Sequence, residues 1–146
     1  MIGRFFVVAC GLVVVACLSS SGCGAKRPPV PELSPVSGKI TFEGKPVPGA
    51  KIVFIPANED PKKPPETRPA AESDDAGNYS LMWDENEGAP PGNYKVIIMA
   101  FKQVDEEDDE VKPPSLIPER YSSPKLSGLK AVVKEDDNVI DFPLVP

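Results

Sequence analysis

From Val36 onward, apolar residues arrive only in short runs, and each run ends in a cluster of glycine, proline, asparagine or aspartate. Nineteen prolines in 146 residues make that punctuation dense. Runs of four to eight residues bounded by turn residues suit strands, whereas helices need ten or more. In Val36 to Phe42 (VSGKITF), Val36, Ile40 and Phe42 share one face and Ser37, Lys39 and Thr41 the other, the period of a half-buried strand. Glu43-Gly44-Lys45-Pro46 is turn chemistry, prolonged by Pro48-Gly49, and Ala50 to Pro56 (AKIVFIP) is dense in β-branched residues. Ala70 to Asp74 is a short strand. The turn Asp75-Ala76-Gly77-Asn78 is expected to fold Tyr79 to Trp83 back onto it as a hairpin. Tyr94 to Phe101 (YKVIIMAF) is the strongest strand, and Leu129 to Lys134 and Asn138 to Leu144 complete the set. About seven strands without an amphipathic helix predict an all-β sandwich over residues 36–146.

The first 35 residues differ in kind. Arg4 precedes an apolar run of 14 residues, Phe5 to Leu18, and Ser19 to Gly22 lead into Cys23. A positive n-region, a short apolar h-region and small residues mark a secretory signal peptide. A membrane span needs about 20 apolar residues, more than this run offers. Ending at a cysteine, residues 1–22 resemble a bacterial lipoprotein signal, which implies acylation of Cys23 as the mature N-terminus. Cys17, preceded by Val14-Val15-Ala16, is the alternative, although cleavage there leaves a very short signal. All three cysteines, Cys10, Cys17 and Cys23, lie in this region, so sulfur serves export and anchoring rather than the fold. Residues 23–35 are proline-rich and read as an extended tether.

Without residues 1–22, which carry only Arg4, the net charge is −7 rather than −6. An acidic body argues against nucleic acid and anionic lipid as partners, so the membrane contact is expected through the lipid anchor alone. The chain has no histidine, which excludes Ser-His-Asp and Cys-His arrangements and imidazole metal sites. Carboxylates, lysines and hydroxyls remain for any chemistry.

A family pattern runs through the strands. Gly38-x-Ile40-x-Phe42-x-Gly44-x-Pro46-Val47-x-Gly49-Ala50-x-Ile52-x-Phe54 resembles the opening of carboxypeptidase-regulatory-like domains. Ser73-Asp74-Asp75-Ala76-Gly77-Asn78-Tyr79 is similar to their Thr-Asp-x-x-Gly-x-Tyr turn, with serine for threonine, and Pro91-Gly92-Asn93-Tyr94-Lys95-Val96 to their Pro-Gly-x-Tyr-x-Val element. Leu116-Ile117-Pro118-Glu119-Arg120-Tyr121-Ser122-Ser123-Pro124 resembles a segment of small exported planctomycete lipoproteins. The resemblance implies a transthyretin-like (prealbumin-like) sandwich and no activity, because such modules accompany a zinc peptidase without carrying its site. Tyr79 and Tyr94 each start a strand, where a ring caps the core while its hydroxyl reaches the backbone.

The candidate sites are few. The acidic run Asp105 to Glu110 (DEEDDE) and the set Asp74, Asp75 and Asn78 have the oxygen chemistry of Ca²⁺ sites. A block of like charge is more often a solvated loop, however, and turn aspartates more often hold the turn itself. Trp83, the only tryptophan, is either a sugar platform or an edge or core residue. Arg120 and Tyr121 lie in the long connection Lys102 to Gly128, the expected partner surface. These readings predict a non-enzymatic envelope lipoprotein, without metal or cofactor, acting as a structural or protein-interaction module. A carbohydrate-binding module is the alternative, and a hydrolase built on hydroxyls and carboxylates ranks last. Gly24 after Cys23, in place of the aspartate tied to inner-membrane retention, points to the outer membrane.

Overall fold

Period-2 alternation in the apolar runs produces two sheets that face each other across one core. The computed structural model describes residues 29–60, 67–102 and 113–146. In chain order the strands among them are β1 (Val36–Phe42), β2 (Lys45–Pro46), β3 (Lys51–Pro56), β4 (Ala70–Glu72), β5 (Asn78–Ser80), β6 (Met82–Trp83), β7 (Asn86–Glu87), β8 (Gly92–Met99), β9 (Lys130–Val133), β10 (Asn138–Val139) and β11 (Phe142–Leu144). One 3-10 turn, Glu119–Ser122, packs on β8. The first sheet centres on β1, with β10 and β11 parallel on one side and β5 and β2 antiparallel on the other. The second runs β7-β6-β4-β3-β8-β9 with antiparallel neighbours throughout. The domain is an all-β sandwich.

Val36, Ile40, Tyr79, Phe142 and Leu144 face inward from the first sheet, and Ile52, Phe54, Val96, Ile98, Ala131 and Val133 from the second. Phe54 joins the layers: its ring lies 5.5 Å from Tyr94 and 6.2 Å, edge-on, from Phe142. Complete burial of such a ring contributes about 1.5–3 kcal/mol.

Two expected strands are divided, each for a local reason. Tyr79 to Trp83 does not fold back onto Ala70 to Asp74 as one hairpin. The 74–77 turn forms, with the Asp74 N–H donating to the Asn78 carbonyl at 2.8 Å. Beyond it β5 pairs with β1 in the first sheet, and only after Leu81 does β6 meet β4 in the second, through Ala70 and Met82. Leu81, with no exposed surface, is the pivot: its burial drives the crossing from one layer to the other.

Asn138 to Leu144 is interrupted between β10 and β11 although its register on β1 continues unchanged (Val36 with Asn138, Ile40 with Phe142). In an unbroken parallel ladder the Lys39 N–H would donate to the Ile140 carbonyl. The Tyr79 hydroxyl donates to that carbonyl instead, at 2.6 Å, and the Asp141 carboxylate accepts the Lys39 N–H at 2.8 Å. Gly38, directly opposite Tyr79, makes room. A Cβ there would sit 1.9 Å from the Ile140 oxygen and 3.0 Å from the Tyr79 ring.

The β1–β2 hairpin closes on Glu43 and Gly44, both at positive φ (50° and 79°), the two-residue turn whose twist matches its strands. At the other end of β1, Ser34 and Ala89 exchange main-chain hydrogen bonds of 2.9 and 3.0 Å. The chain is therefore fixed to the sandwich two residues before β1.

Gly38→Ala is expected to destabilise the domain by about 1–3 kcal/mol through overpacking against main chain. Tyr79→Phe, which strands the Ile140 carbonyl, is expected to cost a comparable 1–3 kcal/mol, roughly. Urea unfolding of the two single variants and the double variant checks this: the losses fall short of additive, because both act on one carbonyl.

Candidate functional site

Three adjacent strands, β5, β1 and β10, point alternate side chains outward, and with the β4–β5 turn they form an open groove of about 770 Å³. Ser37 and Lys39 come from β1, Asn78 and Ser80 from β5, and Asp74 and Asp141 rim it. The aspartates are committed to main chain. Asp74 Oδ1 accepts the N–H groups of Ala76 (2.9 Å) and Asn78 (2.8 Å), and Oδ2 accepts the Asn78 side-chain amide at 3.2 Å. The Asn78 main-chain bond, above all, holds the Asp74 carboxyl below its ordinary pKa, and the side-chain bond and the Lys39 charge add to it. Asp141 serves the Lys39 N–H. Tyr79 lies beneath. Burial, and then the Asp141 charge, push its phenol well above the ordinary value and keep it a donor. The groove therefore offers hydroxyls, an amide, an ammonium and the exposed Glu72 carboxylate for hydrogen bonding.

Arg120 and Tyr121, both in the 3-10 turn, act together as a clip. Arg120 Nη2 donates to the main-chain oxygens of Val145 (2.7 Å) and Pro146 (2.6 Å), and its guanidinium carbon lies 4.6 Å from the centre of the Tyr121 ring. The Tyr121 hydroxyl donates to the Val145 carbonyl and accepts the Val145 N–H, each at 3.0 Å. Tyr121 is only 4% exposed. The pair fastens the long connection to the segment after β11.

Trp83 is half-buried on β6, which β4 and β3 separate from β8, where the clip packs. It also belongs to the opposite sheet from the groove. The structure therefore brings Arg120 and Tyr121 together and leaves Trp83 apart. Asp74 and Asn78 bond to each other across the turn, with Asp75 exposed beside them. Among the described residues no three acidic or cysteine side chains gather as a metal site requires. Cys17, Cys23 and the run Asp105 to Glu110 lie outside the described residues. No family model matches the chain, and no curated protein matches it.

Two buried polar residues are prominent that sequence patterning did not single out. The Ser73 hydroxyl donates to the Val47 carbonyl (2.6 Å) and accepts the Ala50 N–H (2.9 Å), sealing the β2–β3 loop. Asn138 accepts the Lys134 N–H at 2.9 Å and donates to the Lys134, Asp136 and Pro35 carbonyls. A lone polar residue at an inward strand position was the available signal for Asn138. Ser73 had its place in the turn signature. Their partners lie in distant or looped chain that no periodicity indicates.

A lowered Asp74 pKa stabilises the fold fully above the ordinary carboxylate value near 4, and that support is lost as pH falls through the lowered value. Asp74→Asn keeps an oxygen acceptor without the titration. Denaturant midpoints from neutral pH to about pH 2 are therefore expected to fall less steeply in the variant below about pH 4. At the clip, Tyr121→Phe removes both bonds to Val145. Amide hydrogen exchange at Val145 is expected to quicken about five-fold, the equivalent of roughly 1 kcal/mol.

Proposed function

We propose that this chain is an exported lipoprotein, acylated at Cys23, whose β-sandwich is a non-enzymatic structural or protein-interaction module of the carboxypeptidase-regulatory-like, transthyretin-like kind. The observation that carries this reading is that the signature residues are all spent on architecture. Gly38 admits the Tyr79 ring, Glu43-Gly44 closes a hairpin, and Asp74 holds its turn. Tyr94 donates its hydroxyl to the Pro90 carbonyl at 2.6 Å. A scaffold whose polar groups are consumed in this way leaves its loops and outer faces for recognition. No helix among the described residues is long and apolar enough to cross a membrane. Attachment through the acylated cysteine, with the 23–35 tether between lipid and sandwich, fits the N-terminal sequence and an envelope location facing the periplasm or the exterior, the outer membrane favoured.

The open polar groove favours a second reading, a carbohydrate-binding module, through hydroxyl and amide contacts at Ser37, Asn78 and Ser80. Trp83 would not contribute, since it lies on the other sheet.

In-cell cross-linking of the full-length protein, with mass spectrometry of captured partners and of the N-terminal peptide, tests the proposal. A diacylated Cys23 peptide and a reproducible protein partner on the connection 102–128 are expected. A membrane-attached protein that captures no protein but binds envelope glycan, and loses it on Asn78→Ala, replaces the interaction module with the glycan reading.

A further inference from the structure

The last strand of the second sheet has a neighbour on one side only. β9 (Lys130–Val133) pairs with β8 and ends the strand order, so its other edge is unpaired. Antiparallel ladders alternate hydrogen-bonded with non-bonded pairs, and the Val96 N–H, donating to the Leu129 carbonyl at 3.0 Å, fixes the phase. Tyr94 with Ala131 and Gly92 with Val133 are then the bonded pairs. The N–H and C=O groups of Lys130 and Val132 therefore aim at the free edge. Both residues are exposed, Val132 at 56%. Among the described residues this is the longest edge strand, since β2, β5, β7, β10 and β11 have two or three residues each.

The charge beside this edge is unbalanced. Lys95 of β8 stands directly opposite Lys130 in a non-bonded pair, where Cα atoms approach to about 4.5 Å. Like charges so placed are destabilising. The row continues into Ile55 of β3, and among the described residues neither lysine has an ion-pair partner. A lysine on an edge strand guards against indiscriminate pairing, but Lys95 is not on the edge, so guarding does not account for the pair. A second copy of the chain fits poorly. Antiparallel self-pairing centred on Ala131 gathers four lysines into two adjacent rows, and the registers centred on Lys130 or Val132 set Lys130 against Lys130 or Lys134 of the copy. We propose that the β9 edge receives an extended acidic segment of a partner protein as a seventh, antiparallel strand. An apolar residue of that segment lies opposite Val132, and two residues further on a carboxylate lies opposite Lys130, within reach of Lys95. Main-chain bonds to Lys130 and Val132 hold the segment, and its alternate side chains read the row. This gives the interaction module proposed above a partner chemistry and rests on that reading.

The test is binding of a dye-labelled peptide, Thr-Val-Thr-Val-Thr-Glu-Thr-Glu-Thr, to the full-length protein in detergent, read by fluorescence anisotropy and by amide exchange. Saturating peptide is expected to slow exchange at Lys130 and Val132 and to leave Ser37 and Ser80 of the groove unchanged. Lys130→Glu is expected to weaken binding about five- to ten-fold, and to strengthen binding of the same peptide with lysine for glutamate by a similar factor. Val132→Pro removes an N–H that faces the free edge, so it should weaken binding comparably while the urea midpoint holds. Peptide variants repeat that test on the unaltered protein. N-methylation of the valine and the glutamate in the central Val-Thr-Glu should abolish binding, whereas N-methylation of the threonine between them, whose N–H faces away, should not. Equal effects of the two N-methylations, equal affinity for the lysine peptide, slowed exchange in the groove instead of β9, or no binding below millimolar peptide overturns the proposal. So does a dimer in sedimentation that Val132→Pro dissolves. Cross-links on the connection 102–128 read the interaction module separately, so the two failures are told apart.

Discussion

The Tyr79 hydroxyl crosses the inner face of the first sheet to the Ile140 carbonyl, and much of the surrounding structure is arranged around that contact. Taking a ladder acceptor out of service leaves the Lys39 N–H without its main-chain partner, and Asp141 supplies a side-chain oxygen in its place. The crossing needs a strand position with no side chain, which Gly38 provides. Once placed, the ring packs 6.2 Å from Phe142, which meets Phe54 of the facing sheet. One polar contact therefore sets the break between β10 and β11, the glycine in β1 and the aromatic centre of the core.

The same economy appears at three places where chain leaves a sheet. A buried main-chain group without a partner costs as much as several surface contacts return, and here a polar side chain supplies the partner. Ser73 serves the loop before β3, Asn138 the turn from β9 into β10, and Ser127 the stretch before β9, donating to the Val96 carbonyl at 2.7 Å. Among the described residues no buried side-chain polar atom lacks a hydrogen bond. What faces outward among the described residues is the groove on the first sheet and the exposed turns between strands.

Much of this was legible without coordinates. Alternation located β1, and short apolar runs bounded by turn residues located β3, β8 and β9, each to within two residues at its ends. The Asp74 turn was also legible, since an aspartate oxygen bonds N–H groups two and four residues ahead within one local motif. Arg120 and Tyr121 stood out as a pair of residue types, yet their role as a clip on Val145 spans 24 residues of chain and leaves no local trace. The groove was invisible for the same reason, since its walls come from strands that meet only after β10 has returned to lie beside β1.

The sequence by itself determined that the chain is β-rich, where most strands lie, which residues turn inward, and that sulfur is confined to the N-terminal 23 residues. These are properties of periods and local turn chemistry, which act over two to five residues. Only the tertiary structure decided that Tyr79 to Trp83 divides between two sheets and that the last strand breaks at Ile140. Those outcomes depend on which buried groups compete for the same main-chain acceptors and the same space. That competition begins only when distant segments are packed together.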